Sequence, residues 1–197
     1  MSRNFHRPML PGAELFESLP EQTDPAELAA AGHRVATVLV RGPRDADDRD
    51  LVDRVLHLAD SEGLGAIAEL WSHAPADTLA GCLWRLYLLR DWVHRRPDLA
   101  AREYAAGKIH APVHEVLAGV VDPPGPAEVV ELVDTVVRGI LGQDFDVALD
   151  RAASFAHIVG VGRAQLDDGD ASSAARLVDM AAQLRHAADL ERSTGLH

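Results

Sequence analysis

The sequence predicts an all-α protein, and three observations point to this class. Apolar residues recur at intervals of three and four along most of the chain, which places them on one face of a helix. Proline and glycine divide the 197 residues into segments of helical length. No second segment of alternating polarity offers the partner that a strand needs. We expect about eight helices, packed as a single compact, bundle-like domain over residues 24–197.

The N-terminal part of the chain predicts an irregular arm and then a first helix. Three prolines interrupt residues 1–23, and no helical period appears there. The first helix is expected to begin near Thr23 or Asp24 and to end before Gly42. Its second half, residues 33–41, is rich in β-branched side chains, so the sequence leaves helix and strand open there.

The middle of the chain contains the most apolar helix. After the first helix, helical periods continue over residues 45–63 and 64–72. Residues 77–96 then form a helix that is apolar almost all round, and we expect it to be the buried central helix of the bundle. Pro97 ends this helix and begins the next one.

Boundary residues divide the second half of the chain in the same way. A short helix within residues 110–122 is followed by a proline-rich connector, and Pro126 begins the next helix. Asp144 or Asp146 begins a long helix, and Asp170 caps the last one. The last helix has a stripe of alanine and leucine that fits packing within the molecule or across a two-fold axis, and we predict a homodimer.

Composition narrows the function classes. The formal net charge of −12 opposes binding to duplex nucleic acid and to anionic membranes, since both require basic surfaces. Lys108 is the only lysine among 19 cations, and the others are arginines. This preference for arginine is explained by GC-rich codons, and it indicates a high-GC bacterium. The single Cys82 excludes an intrachain disulfide. With no signal-peptide pattern and no membrane-spanning run, we expect a cytoplasmic protein.

Arg85 is the first candidate functional residue, because it lies inside the apolar stretch LWRLYLLRDWV. A buried cation needs a partner, since an unpaired charge in the interior is costly. One interpretation is structural, with an internal carboxylate or a guanidinium that reaches solvent. The other is a pocket for a small anionic ligand, in which Arg85 binds the anion and Trp84 and Tyr87 form an aromatic wall.

His110 and His114 are a candidate metal pair, because histidines four apart can share an ion on one helix. Pro112 lies between them, and a zinc site needs a third ligand that the sequence does not place. A histidine pair at the surface is the alternative interpretation. No other pattern predicts a cofactor.

Catalytic motifs are missing from the sequence. It contains no Gly-rich phosphate loop, no GxSxG and no His-Asp dipeptide. Gly160 and Gly162 fall within a predicted helix and indicate close packing or a kink. Cys82 belongs to a buried helix, which disfavours a nucleophilic role. The acidic run 167–170 is interpreted as helix capping rather than a calcium loop.

Charge is distributed unevenly along the chain. Residues 85–108 are mainly basic and residues 115–150 mainly acidic, so they form either two solvated faces or complementary surfaces within or between protomers. Arg95, Arg96 and Arg102 form a basic strip, but no interleaved aromatic residues support nucleic-acid binding there.

Together, these patterns predict a non-catalytic helical binding or protein-interaction protein with an internal pocket for a small anionic ligand. Two alternatives stay open. One is an enzyme of unknown reaction that holds a small anionic substrate on Arg85. The other is a nucleic-acid-associated regulator, which the net charge disfavours.

Overall fold

The computed structural model describes residues 25–42, 71–110, 125–138 and 144–197. Six helices pack compactly over these ranges, which contain no strand, so the predicted all-α class is confirmed. The helices are α1 (Pro25–Arg41), α2 (Leu79–Arg95), α3 (Pro97–Lys108), α4 (Pro126–Arg138), α5 (Phe145–Gln165) and α6 (Ala171–Ser193). None of the described helices combines the length and apolarity needed to cross a bilayer.

Several sequence predictions lie outside the described residues. These are the irregular arm at 1–23, the helices over 45–63 and within 110–122, and nearly all of the helix over 64–72.

Helix boundaries follow the local chemistry of the chain. α1 continues as a helix to Arg41, which decides against a strand over residues 33–41. Gly42 ends it with a φ of 83°, a left-handed conformation that glycine adopts without strain. Pro97 and Pro126 each begin a helix, as predicted, because proline at the first position has no amide hydrogen to leave unpaired.

Two side chains cap helix N-termini. The Asp170 carboxylate accepts a hydrogen bond from the Ser172 amide at 2.9 Å, which confirms the predicted cap of α6. At α2, the Thr78 hydroxyl accepts from the Gly81 amide at 3.1 Å. Asp77, predicted in the first turn of α2, lies before the helix because Thr78 takes the capping position.

α2 lies among the other helices without being fully enclosed by them. It contacts each of the other five described helices. Its open face carries the half-buried Trp84 and Trp92 and also Leu88, which is 38% exposed. The helix predicted to be the buried centre of the bundle is therefore buried only in part, because this face reaches solvent. The more deeply buried helix is α5, whose inner faces are lined with alanine and glycine and admit close neighbours.

α5 and α6 form the most extensive helix pair of the described residues. The stripe of α6 that packs inward includes Leu177, Ala181, Leu184 and Ala188, all buried within the single chain. The alanine-rich stripe that suggested a two-fold axis is thus covered by α5 of the same molecule. The homodimer itself stays a prediction.

α3 and α5 cross with their backbones in contact. A methyl group at Gly162 would overlap the carbonyl oxygen of Glu103, and one at Gly107 would overlap that of Ile158. The close-packing interpretation of Gly162 is therefore confirmed. This crossing brings the side chain of Glu103 against α5, where the candidate site forms.

A charged contact joins α2 to α4. Asp134 accepts hydrogen bonds from Arg90 Nε at 2.7 Å and from His94 Nε2 at 2.8 Å. Burial raises the pKa of Asp134, but the bonds from His94 and Arg90 outweigh it and leave the pKa below its ordinary value. The basic and acidic segments of the sequence therefore meet within the molecule at this point.

Candidate functional site

A groove of about 660 Å³, open to solvent, lies where α2 and α3 meet the turn between α5 and α6. Its volume is in the range of small-molecule sites. The wall formed by α2 carries Asp91, Trp92 and Arg95. The junction with α3 adds Arg96 and Leu99. Charged side chains therefore surround a short apolar surface.

A buried ion pair forms the floor of the groove. Arg163 donates two parallel hydrogen bonds to Glu103, Nε to Oε1 and Nη2 to Oε2, both at 2.8 Å. Its remaining Nη1 donates to the Ser173 hydroxyl at 2.5 Å. The guanidinium carbon lies 4.9 Å from the ring centroid of Trp92, within the range of a cation–π contact. One arginine thus fixes an acid, a hydroxyl and an aromatic ring.

The helix faces explain why this pair is buried. Glu103 lies on the buried stripe of α3 with Ala100, Tyr104 and Gly107. Arg163 occupies the inner face of α5, one position after the Gly162 crossing. Every buried side-chain nitrogen and oxygen of the described residues has a hydrogen-bond partner, so the floor is a satisfied and rigid framework.

The rim of the groove carries three further arginines. Arg95 is paired with Asp91 on its own helix at 3.0 Å, but its side chain is 72% exposed. Arg102 pairs with Asp168 across the groove, and this contact holds the pKa of Asp168 below its ordinary value. Arg96 is exposed, and its guanidinium has no hydrogen-bond or ion-pair partner among the described residues.

Arg85 has two hydrogen-bond partners, and neither of them is a carboxylate. Its Nε donates to Gln183 Oε1 on α6 at 2.6 Å, and its Nη1 donates to the Gly81 carbonyl at 2.8 Å. Burial lowers the pKa of Arg85. The structural interpretation left open an internal carboxylate or a guanidinium that reaches solvent. The partners are a neutral amide and a backbone oxygen, not a carboxylate, and Arg85 is only half-buried.

The aromatic residues predicted beside Arg85 are both half-buried. Trp84 packs against the core, and the ring centroid of Tyr87 lies 6.4 Å from that of Trp71. The predicted ligand role of Arg85, Trp84 and Tyr87 stays a prediction.

The predicted metal pair is only half described. His110 is exposed just after α3, and its amide donates to the Gly107 carbonyl at 3.0 Å. His114 lies outside the described residues. No group of three potential metal ligands occurs in the part of the chain that the structure describes.

Cys82 is fully buried, and its sulfur lies 3.4 Å from the Ala76 carbonyl oxygen. Burial raises the pKa of the thiol to about 12. Because the thiolate is the nucleophile, this cysteine is poorly suited to covalent chemistry at neutral pH.

The three arginines of the rim are those of the basic strip in the sequence, Arg95, Arg96 and Arg102, whereas the pair of Glu103 and Arg163 in the floor was not predicted. No aromatic residue is interleaved with that strip in the sequence. Trp92 supplies an aromatic surface from the preceding turn of α2. Comparisons with protein families, curated proteins and solved structures find no match. The functional conclusion therefore rests on the groove itself.

Proposed function

We propose that the protein is a non-catalytic binding protein that holds a small anionic molecule with an apolar part in this groove. The observation that carries the proposal is Arg96, which lines the groove together with Trp92 and Leu99 and whose guanidinium has no hydrogen-bond or ion-pair partner among the described residues. A guanidinium binds carboxylate or phosphate through a planar pair of donors. The tryptophan and leucine provide the apolar contact that a mixed ligand needs.

The floor of the groove supports binding because its side chains are already ordered. Arg163 is fixed by Glu103 and Ser173, and it lies over Trp92. A ligand that packs in the groove therefore orders few additional rotamers, which reduces the entropic cost of association.

The carboxylates of the groove favour binding over acid–base catalysis. Asp91, Glu103 and Asp168 each accept from an arginine, and Asp170 accepts from the N-terminus of α6. The hydrogen bond from Arg102 lowers the pKa of Asp168, and the amides of Ser173 and Ser172 lower that of Asp170, whereas a general acid or base works best with a pKa near the working pH. Between the two candidate positions, Arg96 is favoured over Arg85, because Arg85 already has two acceptors.

A titration with phenyl phosphate tests the proposal. This probe combines a dianion with one aromatic ring. Binding is followed by NMR on the Nε–Hε signals of arginine and the indole signals of tryptophan. We expect saturable binding with a dissociation constant of about 1 mM, in keeping with so small a ligand. Arg96→Ala should weaken binding about fivefold to tenfold, which corresponds to the loss of about 1 kcal/mol from a hydrogen bond that stays open to solvent.

Arg176→Ala is the matched control, since Arg176 is exposed on α6 and does not line the groove. An equal loss in both variants would show that the number of positive charges on the protein, and not a contact with Arg96, determines how the probe binds. A loss confined to Arg85→Ala would place the ligand at the sequence-predicted position. The absence of saturable binding overturns the proposal, and release of phenol would contradict its non-catalytic character.

A further inference from the structure

One ion pair spans the groove and engages a rim arginine from within the protein. Arg102 projects from α3, and Asp168 projects from the turn between α5 and α6. Both side chains line the groove and stay accessible, with exposed fractions of 49% and 68%. The Asp168 carboxylate thus occupies a guanidinium that an external anion would otherwise contact.

The turn that carries Asp168 is held in place by contacts other than this ion pair. The Gly169 amide donates to the Leu166 carbonyl at 2.9 Å, and a methyl group at Gly169 would overlap the Arg163 carbonyl oxygen. Asp170 then caps α6. Asp168 is therefore presented to the groove by a fixed backbone, and its side chain is the part free to leave.

We propose that Asp168 is an internal competitor for the anionic ligand. In the free protein its carboxylate occupies Arg102. A ligand anchored on Arg96 displaces the carboxylate to gain Arg102 as a second guanidinium. An exposed ion pair is weak enough to be exchanged, but tethering gives the internal carboxylate a high effective concentration. This inference rests on the proposed function and assigns to Asp168 the role of limiting the affinity of the groove for its anionic ligand.

Removing the competitor should tighten binding of phenyl phosphate. Asp168→Asn keeps the size of the side chain and leaves Arg102 free, so we expect a dissociation constant about twofold to fivefold lower, as for release of an exposed ion pair. Asp167→Asn is the matched control, because it removes the same charge from the same turn at a position that does not line the groove. A thermal melt of each variant verifies that the fold is retained.

A double-mutant cycle separates competition from simple charge removal. If Asp168 acts by occupying Arg102, Asp168→Asn should leave affinity unchanged in an Arg102→Gln background. An equal gain in both backgrounds, or equal gains from Asp167→Asn and Asp168→Asn, overturns the inference while the Arg96 effect still supports the proposed function. Weaker binding in Asp168→Asn also overturns it. Failure of every form to bind phenyl phosphate overturns the proposed function and this inference with it.

Discussion

At the scale of single residues, Arg163 and Glu103 form a buried ion pair in the described interior. Burial of either charge alone would be costly, because the low-dielectric interior disfavours an uncompensated ion. The pair avoids this cost through two parallel hydrogen bonds, and Ser173 satisfies a further donor of the guanidinium. The same contacts that satisfy these charges also fix the floor of the groove.

Glu103→Gln should therefore destabilise the protein by about 3–5 kcal/mol, since it leaves the Arg163 charge buried without its counterion. Urea denaturation measures the loss. The double variant Glu103→Leu/Arg163→Met is the informative control, because replacement of both charges by apolar groups is often nearly neutral. If the double variant loses as much free energy of unfolding as Glu103→Leu and Arg163→Met lose together, the two side chains are not coupled, and the loss in Glu103→Gln does not come from an uncompensated charge.

The position of Glu103 in the sequence already indicates such a pair. Glu103 falls on the apolar stripe of its own helix, with Ala100, Tyr104 and Gly107 at helical spacing. A charge at such a position needs an opposite charge on a neighbouring helix. Arg85 attracted attention because its surroundings in the sequence are apolar, yet it reaches a neutral amide near the surface. The neighbouring residues in the sequence show that a charge lies at an apolar position, but they do not show which distant residue compensates that charge.

At the scale of helices, the α3–α5 crossing depends on the two glycines that face each other. Gly162→Ala should cost about 1–3 kcal/mol, because the new methyl meets the backbone oxygen of Glu103, which cannot rotate away. Gly160→Ala is the matched control on the same helix. There the methyl would lie 3.0 Å from Val178 Cγ2, 3.1 Å from Leu177 Cβ and 3.2 Å from the Ala174 carbonyl oxygen, which are tight contacts but not overlaps. A gain in helix propensity of about 1 kcal/mol opposes the strain, so the cost should be smaller than at Gly162. Thermal denaturation compares them, and equal effects would contradict the crossing.

Helix boundaries were more predictable than helix partners. Pro97, Pro126 and Asp170 act on the backbone beside them, so their effects could be inferred from the sequence. The β-branched residues of 33–41 made α1 ambiguous, and tertiary contacts decide the outcome. Val35 and Val38 are buried in the helical form, and Trp71 Nε1 donates to the α1 carbonyl of Gly32 at 2.9 Å. Such contacts join residues far apart in the chain, and local patterns do not identify them.

At the scale of the whole molecule, one contact joins the first described helix to the end of the last. Arg41 donates to Glu191 through both terminal nitrogens, at 2.5 and 2.7 Å. The Leu196 amide donates to the same carboxylate at 2.8 Å, and the Leu196 side chain is buried. Glu191 therefore connects α1, α6 and the segment that follows α6.

This connection predicts a dependence of stability on pH. The hydrogen bond from Arg41 lowers the pKa of Glu191 below its ordinary value of 4.5, although burial opposes the shift. A carboxylate whose pKa is lower in the folded state stabilises the fold above its ordinary pKa, and this contribution is lost as pH falls through the folded pKa. Glu191→Gln should therefore be about 1–2 kcal/mol less stable than the parent protein at neutral pH, and the difference should shrink as pH falls below the ordinary pKa of 4.5.

Urea denaturation of both proteins at a series of pH values measures this difference. Glu27→Gln is the control, because Glu27 is exposed on the first turn of α1, far along that helix from Arg41. Its effect on the free energy of unfolding should be a few tenths of a kcal/mol at most, the size of an interaction with the helix dipole. A stability difference for Glu191→Gln that stays constant down to about pH 3 would mean that the ionised carboxylate does not connect the two ends of the helical assembly.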